Sequence, residues 1–546
     1  MTAFLFTAAE YILRKHASEM EDVCIVFPGR RAGLYFIKYL NQISSKPLWS
    51  PKIYSINEFI ASASDIQQIS DIRLIFTLYD IYVNEKKSEE KFDSFYPWGE
   101  MLLHDFDTID KYMVNPRDIF SNISDLKHLK DNFNYLSREQ IEAIQKFWSN
   151  FQKAEKSNET DSFIDIWTIL YTVYQQYTQS LKSQGIGYEG MIYRDVAEKT
   201  YTIAVFETYA HVYFIGFNAL NTCEKTIFSY LKKKKRASFL WDYDDYYYNN
   251  AQHEAGFFLR QNLRIFSPPD DFRFDHQRLG KNQNVVSIAA LTDSEQADIA
   301  AMLCKNLTVD ERTAIVLPDE KMLIPVLHAL ADNTTVNITM GLPLSVTPAH
   351  ALVKILFDIH KNAKKYKDNI YYYSPDLLAL TNHPYLRIIN DEEIALMQKK
   401  LLQSNQLYVS HSDIAENAVL SFLCKDITGT SGFAEYLLSA IAYIQQHIMD
   451  QDENNKQYIL EKEYLFHITK NLNILHNLLT ERKIEMQTDT FIRFVLQMLQ
   501  STKIPFTGEP LSGLQIIGLL ETRLLDFDNL FILSVNEGIL PSNTTP

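Results

Sequence analysis

The sequence predicts an α/β fold with two parallel-sheet domains, each interrupted by a long helical insertion. Short apolar runs bounded by polar turns suit strands that are covered on both faces; they lie at 23–27, 211–217, 313–317 and 514–520. Strand-helix alternation surrounds these runs, as expected for a parallel sheet. Two long stretches between them show helical periodicity instead, which indicates inserted helical layers.

Length and composition support several domains rather than one. The chain has 546 residues, of which 46% are hydrophobic and 13% aromatic, and this material suffices for more than one core. A disordered protein is excluded by the same composition. We expect a first sheet domain at 1–85 and 200–280 with a helical insertion at 86–199, and a second sheet domain at 285–351 and 505–546 with a helical insertion at 352–504.

Cysteine usage and charge narrow the function classes. The four cysteines are widely separated and form no CxxC pair, which argues against a disulfide framework, a zinc site or an iron–sulfur cluster and favours buried thiols in a reducing cytoplasm. No signal peptide or membrane span stands out, so we expect a cytoplasmic protein without a membrane partner. The net charge of −15 repels polyanions. Nucleic-acid binding would therefore require a local basic groove or a partner subunit.

The first strand leads into a turn rich in arginine. Residues 23–27 are apolar and are followed by Pro28, Gly29, Arg30 and Arg31, after which a helix is predicted. Free N–H groups at a helix N-terminus form an anion cradle, and the two arginines would strengthen it. Two solvated arginines on a plain strand-to-helix turn are the alternative. The turn is not a phosphate-binding P-loop, because GxxxxGK[ST] occurs nowhere in the chain.

The first insertion is predicted to be helical. Trp98, Leu102, Phe106 and Ile109 fall near one helical face. Several acidic residues lie in the same segment, and we interpret them as a solvated acidic helix face rather than a metal site: Glu100, Asp105, Asp107 and Asp110.

The first sheet is predicted to resume at 211–217 and to continue at 237–241. A basic run at 232–236 separates a helix from the second of these strands. A solvated loop is its expected role, and phosphate binding is the alternative. Three tyrosines, Tyr246 to Tyr248, follow the strand. They are candidates for stacking on unpaired bases, since every base offers a π-face, and core or rim tyrosines are the alternative.

A proline-containing linker at 267–271 precedes the second sheet domain. The apolar and polar alternation predicts strands at 285–290, 313–317 and 336–340, with helices at 294–307 and 320–330 between them. A second set of helices follows, and the sheet returns at 513–541. There an apolar run ends in a turn that carries Thr522 and Arg523, and a second apolar run leads to Asn536, Glu537 and Gly538.

The motifs of the last stretch resemble superfamily 1 helicases of the UvrD type. In that group a histidine-x-x-lysine-glycine-leucine-glutamate-phenylalanine turn precedes an apolar strand and an N/E-E-G-x-x-P ending. Here Leu520 stands at the histidine, Arg523 at the lysine and Leu524 at the glycine, and NEGILP matches the ending. VFPGRRA resembles the helicase motif that touches the DNA backbone, with Arg30 at its lysine. This resemblance implies RecA-like sheet domains.

The order of motifs along the whole chain resembles the amino-terminal region of AddB/RexB-type subunits, which belong to PD-(D/E)xK nuclease proteins of helicase–nuclease complexes. WGEMLLHDFD, YFIGFNALN with WDYDDYY, VNITMGLPL and the last stretch carry it. The resemblance implies double-strand-break repair beside an AddA-like helicase subunit. It also implies a nuclease domain after Pro546, with its metal there. Because the chain stops directly after a predicted core strand, we expect it to be a fragment.

The residues that helicases use for ATP are replaced at the matching places. Gly216 and Phe217 stand where an aspartate and a glutamate would serve Mg²⁺ and the attacking water, and Pro318 stands where an arginine would contact the γ-phosphate. We therefore expect no ATP or Mg²⁺ binding and no catalysis in this chain. The alternatives are an active but diverged ATP-dependent helicase and a protein-interaction scaffold that does not touch DNA.

The resemblance also implies a path for single-stranded DNA over the carboxyl ends of the strands. Arg30, Arg31 and Arg523 are the main candidates because arginine donates to phosphate in a bidentate way and stays charged. The further candidates for contact with nucleic acid are Thr522, Tyr246 and Tyr248. A structural ion pair of Arg523 with Glu521 or Asp526 is the alternative for that residue.

Overall fold

The chain divides into two units, Met1–Val285 with Arg523–Leu525, and Val286–Thr522 with Asp526–Pro546. Both are α/β units built on parallel strands. The computed structural model describes residues 3–87, 90–125, 158–281, 283–307, 310–367, 369–389, 391–427, 429–449, 458–482, 484, 486–504, 506 and 511–541.

The first unit is centred on a parallel sheet with the strand order β2-β1-β5-β6. β1 and β5 are direct neighbours although an insertion separates them in the chain, with Ile25 opposite Tyr213. The prediction that both apolar runs share one sheet is therefore confirmed. The described strands of this unit are β1 (Val23–Phe27), β2 (Lys52–Ser55), β3 (Gln67–Gln68), β4 (Ile186–Gly187), β5 (His211–Ile215) and β6 (Ala237–Leu240).

Helices cover this sheet and form the insertion. β1 is buried along its whole length, as the apolar sequence predicted for a strand with both faces covered. The described helices are α1 (Phe4–His16), α2 (Arg30–Ile43), α3 (Ile56–Ser62), α4 (Asp71–Lys86), α5 (Phe92–Lys111), α6 (Pro116–Asp125), α7 (Asn158–Ser183), α8 (Glu189–Glu198), α9 (Val205–Thr208), α10 (Thr222–Lys233), α11 (Asp245–Asn249) and α12 (Phe257–Ile265).

The helical insertion of the first unit has an aromatic core. On α5, Leu102, Phe106 and Ile109 are buried and Trp98 is half-buried, which agrees with the predicted apolar face. The expectation of a uniformly solvated acidic face on this helix is wrong at Asp110, which is 1% exposed. Its carboxylate sits among donors from two other helices, so the residue belongs to the interior of the insertion.

The second unit contains a parallel sheet with the order β15-β7-β14-β8. Ile315 of β7 lies opposite Ile516 of β14, and Phe531 of β15 lies opposite Ile315 on the other side. The described strands are β7 (Thr313–Leu317), β8 (Val336–Ile338), β9 (Leu342–Pro343), β10 (Lys364–Tyr366), β11 (Asn369–Tyr373), β12 (Tyr408–Ser410), β13 (Lys503–Ile504), β14 (Leu514–Gly518) and β15 (Asn529–Ile532).

The stretch between β9 and β13 is largely helical, as expected, but it also contains the antiparallel sheet β10-β11-β12, which the sequence did not predict. Its buried surface is mainly aliphatic, with Leu437, Ile444 and Leu472 fully buried. The described helices of the second unit are α13 (Asp293–Lys305), α14 (Leu323–Ala329), α15 (Pro348–Asn362), α16 (Ser374–Thr381), α17 (Pro384–Ile389), α18 (Asp391–Ser404), α19 (His411–Ile414), α20 (Ala418–Leu423), α21 (Gly429–Met449), α22 (Ile459–Arg482) and α23 (Thr488–Ser501).

One predicted strand does not form. Residues 285–290 have no regular secondary structure, and Val285, Val286 and Ile288 are exposed. An apolar run becomes a strand only when a neighbouring strand accepts its backbone hydrogen bonds, and none of the described strands pairs with this run.

Buried polar groups in the second sheet are hydrogen-bonded. Gln515 of the inner strand β14 is fully buried, and its side chain accepts a hydrogen bond from Asn337 Nδ2 at 2.9 Å. The same amide donates to the carbonyl oxygen of Gly513 at 2.8 Å. This amide pair satisfies polar groups that would be costly to bury unpaired.

Candidate functional site

The turn after β1 places Arg30 at the first position of α2. Gly29 precedes the helix without a side-chain cap, and the first turn carries no acidic residue. A Cβ at Gly33 would lie 2.7 Å from Ile53 Cγ2 and 3.6 Å from the Phe27 ring, so this helix packs closely on β1 and β2. Because α2 begins directly after β1, the free N–H groups of its first turn lie at the carboxyl end of that strand.

Glu58 stands beside this turn. Its Oε1 lies 2.5 Å from Arg30 Nη2, and its Oε2 accepts hydrogen bonds from the backbone and hydroxyl of Ser55 at 2.8 Å. Ser55 and Glu58 form the capping box of α3. Burial raises the pKa of Glu58, but the Ser55 hydrogen bonds and the Arg30 charge outweigh it and lower that pKa. Arg31, the second predicted residue, is half-buried.

The end of β5 has a backbone conformation that favours glycine. Gly216 has a φ of +72°, and its N–H donates to the carbonyl oxygen of Leu240 at 2.8 Å. An L-residue in this left-handed region is strained. Phe217 is buried and lies edge-to-face with Phe228, with ring centroids 5.3 Å apart. The two places that matched catalytic carboxylates in the sequence therefore hold a backbone turn and a core ring.

The tyrosines after β6 differ in accessibility. Tyr246 is 57% exposed, whereas Tyr248 is half-buried and its ring centroid lies 5.2 Å from that of Tyr243. Tyr243 stacks on His276, with centroids 3.9 Å apart. Of the two predicted stacking residues, Tyr246 is therefore the more accessible to a base.

Asp244 fixes this tyrosine segment. Its carboxylate accepts from the backbone N–H groups of Tyr246, Arg278 and Leu279 at 2.9, 2.7 and 2.8 Å. Desolvation raises the pKa of Asp244, but these three hydrogen bonds outweigh it, so that the pKa falls below its usual range. The carboxylate is occupied as a cap and serves structure.

The basic run at 232–236 lies at the other end of the strands from Arg30. Its residues end α10 and precede β6, so they are at the amino ends of the strands, away from Arg30. Arg236 Nη1 donates to the carbonyl oxygens of Glu207 and Tyr209 at 2.8 and 3.4 Å. A helix that connects parallel strands runs antiparallel to them, which explains why the two basic segments are separated.

In the second unit, Thr522 is held within its own turn. The hydroxyl donates to the carbonyl oxygen of Leu519 at 2.7 Å, and the neighbouring Glu521 carboxylate accepts a hydrogen bond from Thr339. Pro318 follows β7 directly, and Asp319 accepts from the N–H of Lys321 at 3.0 Å.

Arg523 clusters with the first unit rather than with its neighbours in sequence. Its side chain is exposed to solvent. The surrounding protein nevertheless desolvates the guanidinium and lowers its pKa, whereas the charge of Glu224 raises that pKa by a smaller amount. The carboxylate that acts on this pKa is thus distant in sequence, whereas the sequence suggested the nearby Glu521 or Asp526.

Four of the predicted nucleic-acid contacts follow strands at the carboxyl edge of the first sheet: Arg30, Arg31, Tyr246 and Tyr248. Thr522 belongs to the second unit.

Sequence reasoning missed a polar network in the first insertion. Asp110 accepts hydrogen bonds from the hydroxyls of Tyr174 and Tyr188, and Arg194 Nη1 lies 2.8 Å from its Oδ1. Burial raises the pKa of Asp110, because it outweighs these hydrogen bonds and the Arg194 charge, which lower that pKa. A cleft of about 390 Å³ borders the network and is also lined by Lys182. The partners are distant in sequence, so no local pattern could reveal them.

Three wider findings concern the described part of the chain. No described helix has the length and apolar character needed to cross a bilayer. Among the same residues, no three His, Cys, Asp or Glu side chains gather as a possible metal site. The four cysteines are buried free thiols.

Comparison of the sequence with protein-family models gives no match, and no curated protein matches the chain.

Proposed function

We propose that the chain is a helicase-like region of a double-strand-break repair helicase–nuclease, which binds single-stranded DNA and serves as a scaffold without hydrolysing ATP. The observation that carries the proposal is the carboxyl edge of the first sheet. There the free N–H groups of α2 and the guanidinium of Arg30 follow β1, and the exposed ring of Tyr246, on α11, follows β6; β5 lies between these two strands. Phosphate and base stacking need these groups.

The geometry around β5 supports the absence of ATP hydrolysis. Phosphoryl transfer depends on positioned charges that neutralise the phosphates. Gly216 has a left-handed backbone and Phe217 is part of the core, so neither position offers a carboxylate for Mg²⁺. Pro318 offers no cation for the γ-phosphate.

An AddA-like helicase subunit is the proposed partner, and the nuclease with its metal would lie in polypeptide beyond this chain. The sequence resemblance supports both ideas. The net charge of −15 disfavours DNA binding over the surface as a whole, so the scaffold role would be the larger part of the function and DNA contact would be local.

Nucleotide and DNA titrations test the proposal. Calorimetry of the purified chain with ATP and Mg²⁺ should show no binding. Fluorescently labelled single-stranded DNA should bind, and the Arg30→Ala/Arg31→Ala/Arg523→Ala variant should bind more weakly and with a shallower salt dependence. For every phosphate that the variant no longer neutralises, the slope of log K against log salt should decrease by roughly 0.7.

The basic run supplies a matched control for this titration. Lys233→Ala/Lys234→Ala removes exposed positive charge at the opposite edge of the sheet, so it should leave affinity and salt slope nearly unchanged. Equal losses for each positive charge removed, three in the triple variant and two in the control, would show only a non-specific charge effect and would contradict a path at the carboxyl edge. Micromolar, Mg²⁺-dependent ATP binding would instead support the active but diverged helicase.

A protein scaffold that does not touch DNA is the second candidate. It is favoured by the ion pair between Arg30 and Glu58, which gives the arginine a role in the fold. Unchanged DNA affinity in the triple variant, with an intact complex with an AddA-like helicase, would support this candidate over DNA binding.

A further inference from the structure

β15 is an edge strand of the second sheet among the strands that the structure describes. β15 pairs with β7 on one side, and none of the other described strands pairs with it. Leu530 and Ile532 on this strand are 48% and 43% exposed. Parallel sheets normally have both faces covered, and an apolar edge strand is a template for another strand.

A strand-like segment of the same unit is also unpaired among the described strands. Residues 286–291 read Val-Ser-Ile-Ala-Ala-Leu, a composition that fits a strand covered on both faces. Instead, Val286 is 69% exposed and Leu291 is 94% exposed. The backbone N–H of Leu291 donates to Glu295 Oε2 at 2.6 Å, so the segment is fixed at its carboxyl end.

The carboxyl end of this segment lies close to the carboxyl end of β15, as the following contacts show. The segment leads through Thr292, the N-cap, into α13. In the first turn of α13, Gln296 Oε1 accepts from the backbone N–H of Ser534 at 2.8 Å, two residues after β15 ends. A strand at 286–290 would continue through α13 to β7 as a strand-helix-strand unit, which requires it to run parallel to β7 and β15.

We propose that residues 286–290 are a strap that closes on β15 as a fifth parallel strand. The closed sheet has the order strap-β15-β7-β14-β8. Closure gives the outer backbone groups of β15 hydrogen-bond partners and reduces the exposure of the apolar side chains on both strands. In this structure the strap is open. This inference is independent of DNA binding.

Disulfide trapping tests the closed state. Ile288→Cys is combined with Leu530→Cys in one variant and with Ile532→Cys in another, because the register of the added strand selects one pair. After mild oxidation, mass spectrometry should find an intramolecular disulfide in one of the two. Ile288→Cys/Leu396→Cys is the matched control, since Leu396 is exposed on α18 of the same unit. Trapping that is no faster than in this control would overturn the proposal.

Hydrogen exchange gives a second measurement without cysteines. Amides at 286–290 should exchange at least tenfold more slowly than an unstructured segment, and equally at low and high protein concentration. Ile288→Asp should accelerate exchange at Leu530 and Ile532 and leave β1 unchanged; the side chain is exposed, so the variant should fold. No acceleration would contradict the strap. Protection that grows with protein concentration, or disulfides that join two chains, would assign the edge to a second copy and overturn the proposal.

Discussion

Arg30 Nη2 and Glu58 Oε1 lie 2.5 Å apart at the carboxyl edge of the first sheet. The sequence motifs predict that Arg30 binds a phosphate, but its guanidinium is already paired with a carboxylate. That carboxylate also caps α3 through its other oxygen. The two oxygens have separate tasks. A substitution that removes the charge and keeps the cap can therefore distinguish DNA binding from a purely structural ion pair.

Glu58→Gln should increase affinity for single-stranded DNA. The amide oxygen retains the hydrogen bond from the Ser55 N–H, while Arg30 loses its competing anion. The Arg30 side chain is 79% exposed, and exposed ion pairs contribute up to about 1 kcal/mol, so the gain should reach at most about fivefold. Fluorescence titration at low salt measures it.

The double variant Arg30→Ala/Glu58→Gln is the control for that gain. Without the guanidinium, neutralising residue 58 frees no cation for DNA, so the affinity for single-stranded DNA should equal that of Arg30→Ala alone. A gain that persists in the double variant would mean that Glu58 repels DNA directly. No gain in the single variant would indicate that Arg30 does not contact DNA.

Gly216→Ala should destabilise the first unit. The residue has a φ of +72°, and the left-handed region costs an L-residue roughly 1–2 kcal/mol. An added Cβ would also clash with Leu524 Cδ2, so the loss of stability should be at least that large. Gly432 of α21 is the matched control because an added Cβ meets only Ile427 Cγ2, at 3.8 Å. Gly432→Ala should be neutral or stabilising by up to about 1 kcal/mol. Urea unfolding with hydrogen exchange in each unit measures both; equal effects would contradict the backbone argument.

Arg194→Met should destabilise the first insertion by about 3 kcal/mol, because it leaves the buried carboxylate of Asp110 without its cation. Glu198→Gln removes the charge of the other carboxylate that pairs with the same guanidinium, 3.1 Å away and 56% exposed, and should change stability by less than about 0.5 kcal/mol. The readout is hydrogen exchange of α5 and α8 amides in urea. Similar effects of the two substitutions would show that the burial of Asp110 is unimportant.

Glu224 should make the first unit less stable as pH rises. Burial raises the pKa of this carboxyl to about 7, and the negative charge of Glu189 also raises it. The N–H of Asn221 and the positive charges of Lys111 and Arg523 lower the pKa, but by less. The ordinary value is 4.5. Since the folded state holds the proton more tightly, the stabilisation is complete below the ordinary pKa and is lost as pH rises to about 7.

Glu224→Gln isolates this titration. The amide oxygen can keep the capping-box hydrogen bond from Asn221, which measures 2.9 Å in the parent. We expect the variant to gain stability relative to the parent between about pH 4.5 and pH 7, with no further gain above that range. Exchange of α10 amides across this range is the measurement. A constant difference at all pH values would show that Glu224 does not titrate there.

Local patterns predicted much of the fold. Residues 23–27, 211–215, 313–317 and 514–518 form strands because continuous apolar runs bury both faces of a parallel sheet. The same principle located the strand-to-helix turn at Arg30. The predicted strand at 285–290 shows the limit of this reasoning, since a strand also requires a partner, which sequence periodicity does not supply.

The sequence by itself therefore determined the α/β class, the strands with uninterrupted apolar runs and the residues that follow them. Only the tertiary structure decided what those residues contact: that Glu58 neutralises Arg30, that Asp110 is buried among Tyr174, Tyr188 and Arg194, and that the basic run lies at the opposite sheet edge. Apolar periodicity is a local property, so the chain displays it. Electrostatic partners come together from distant positions, and only folding brings them within reach.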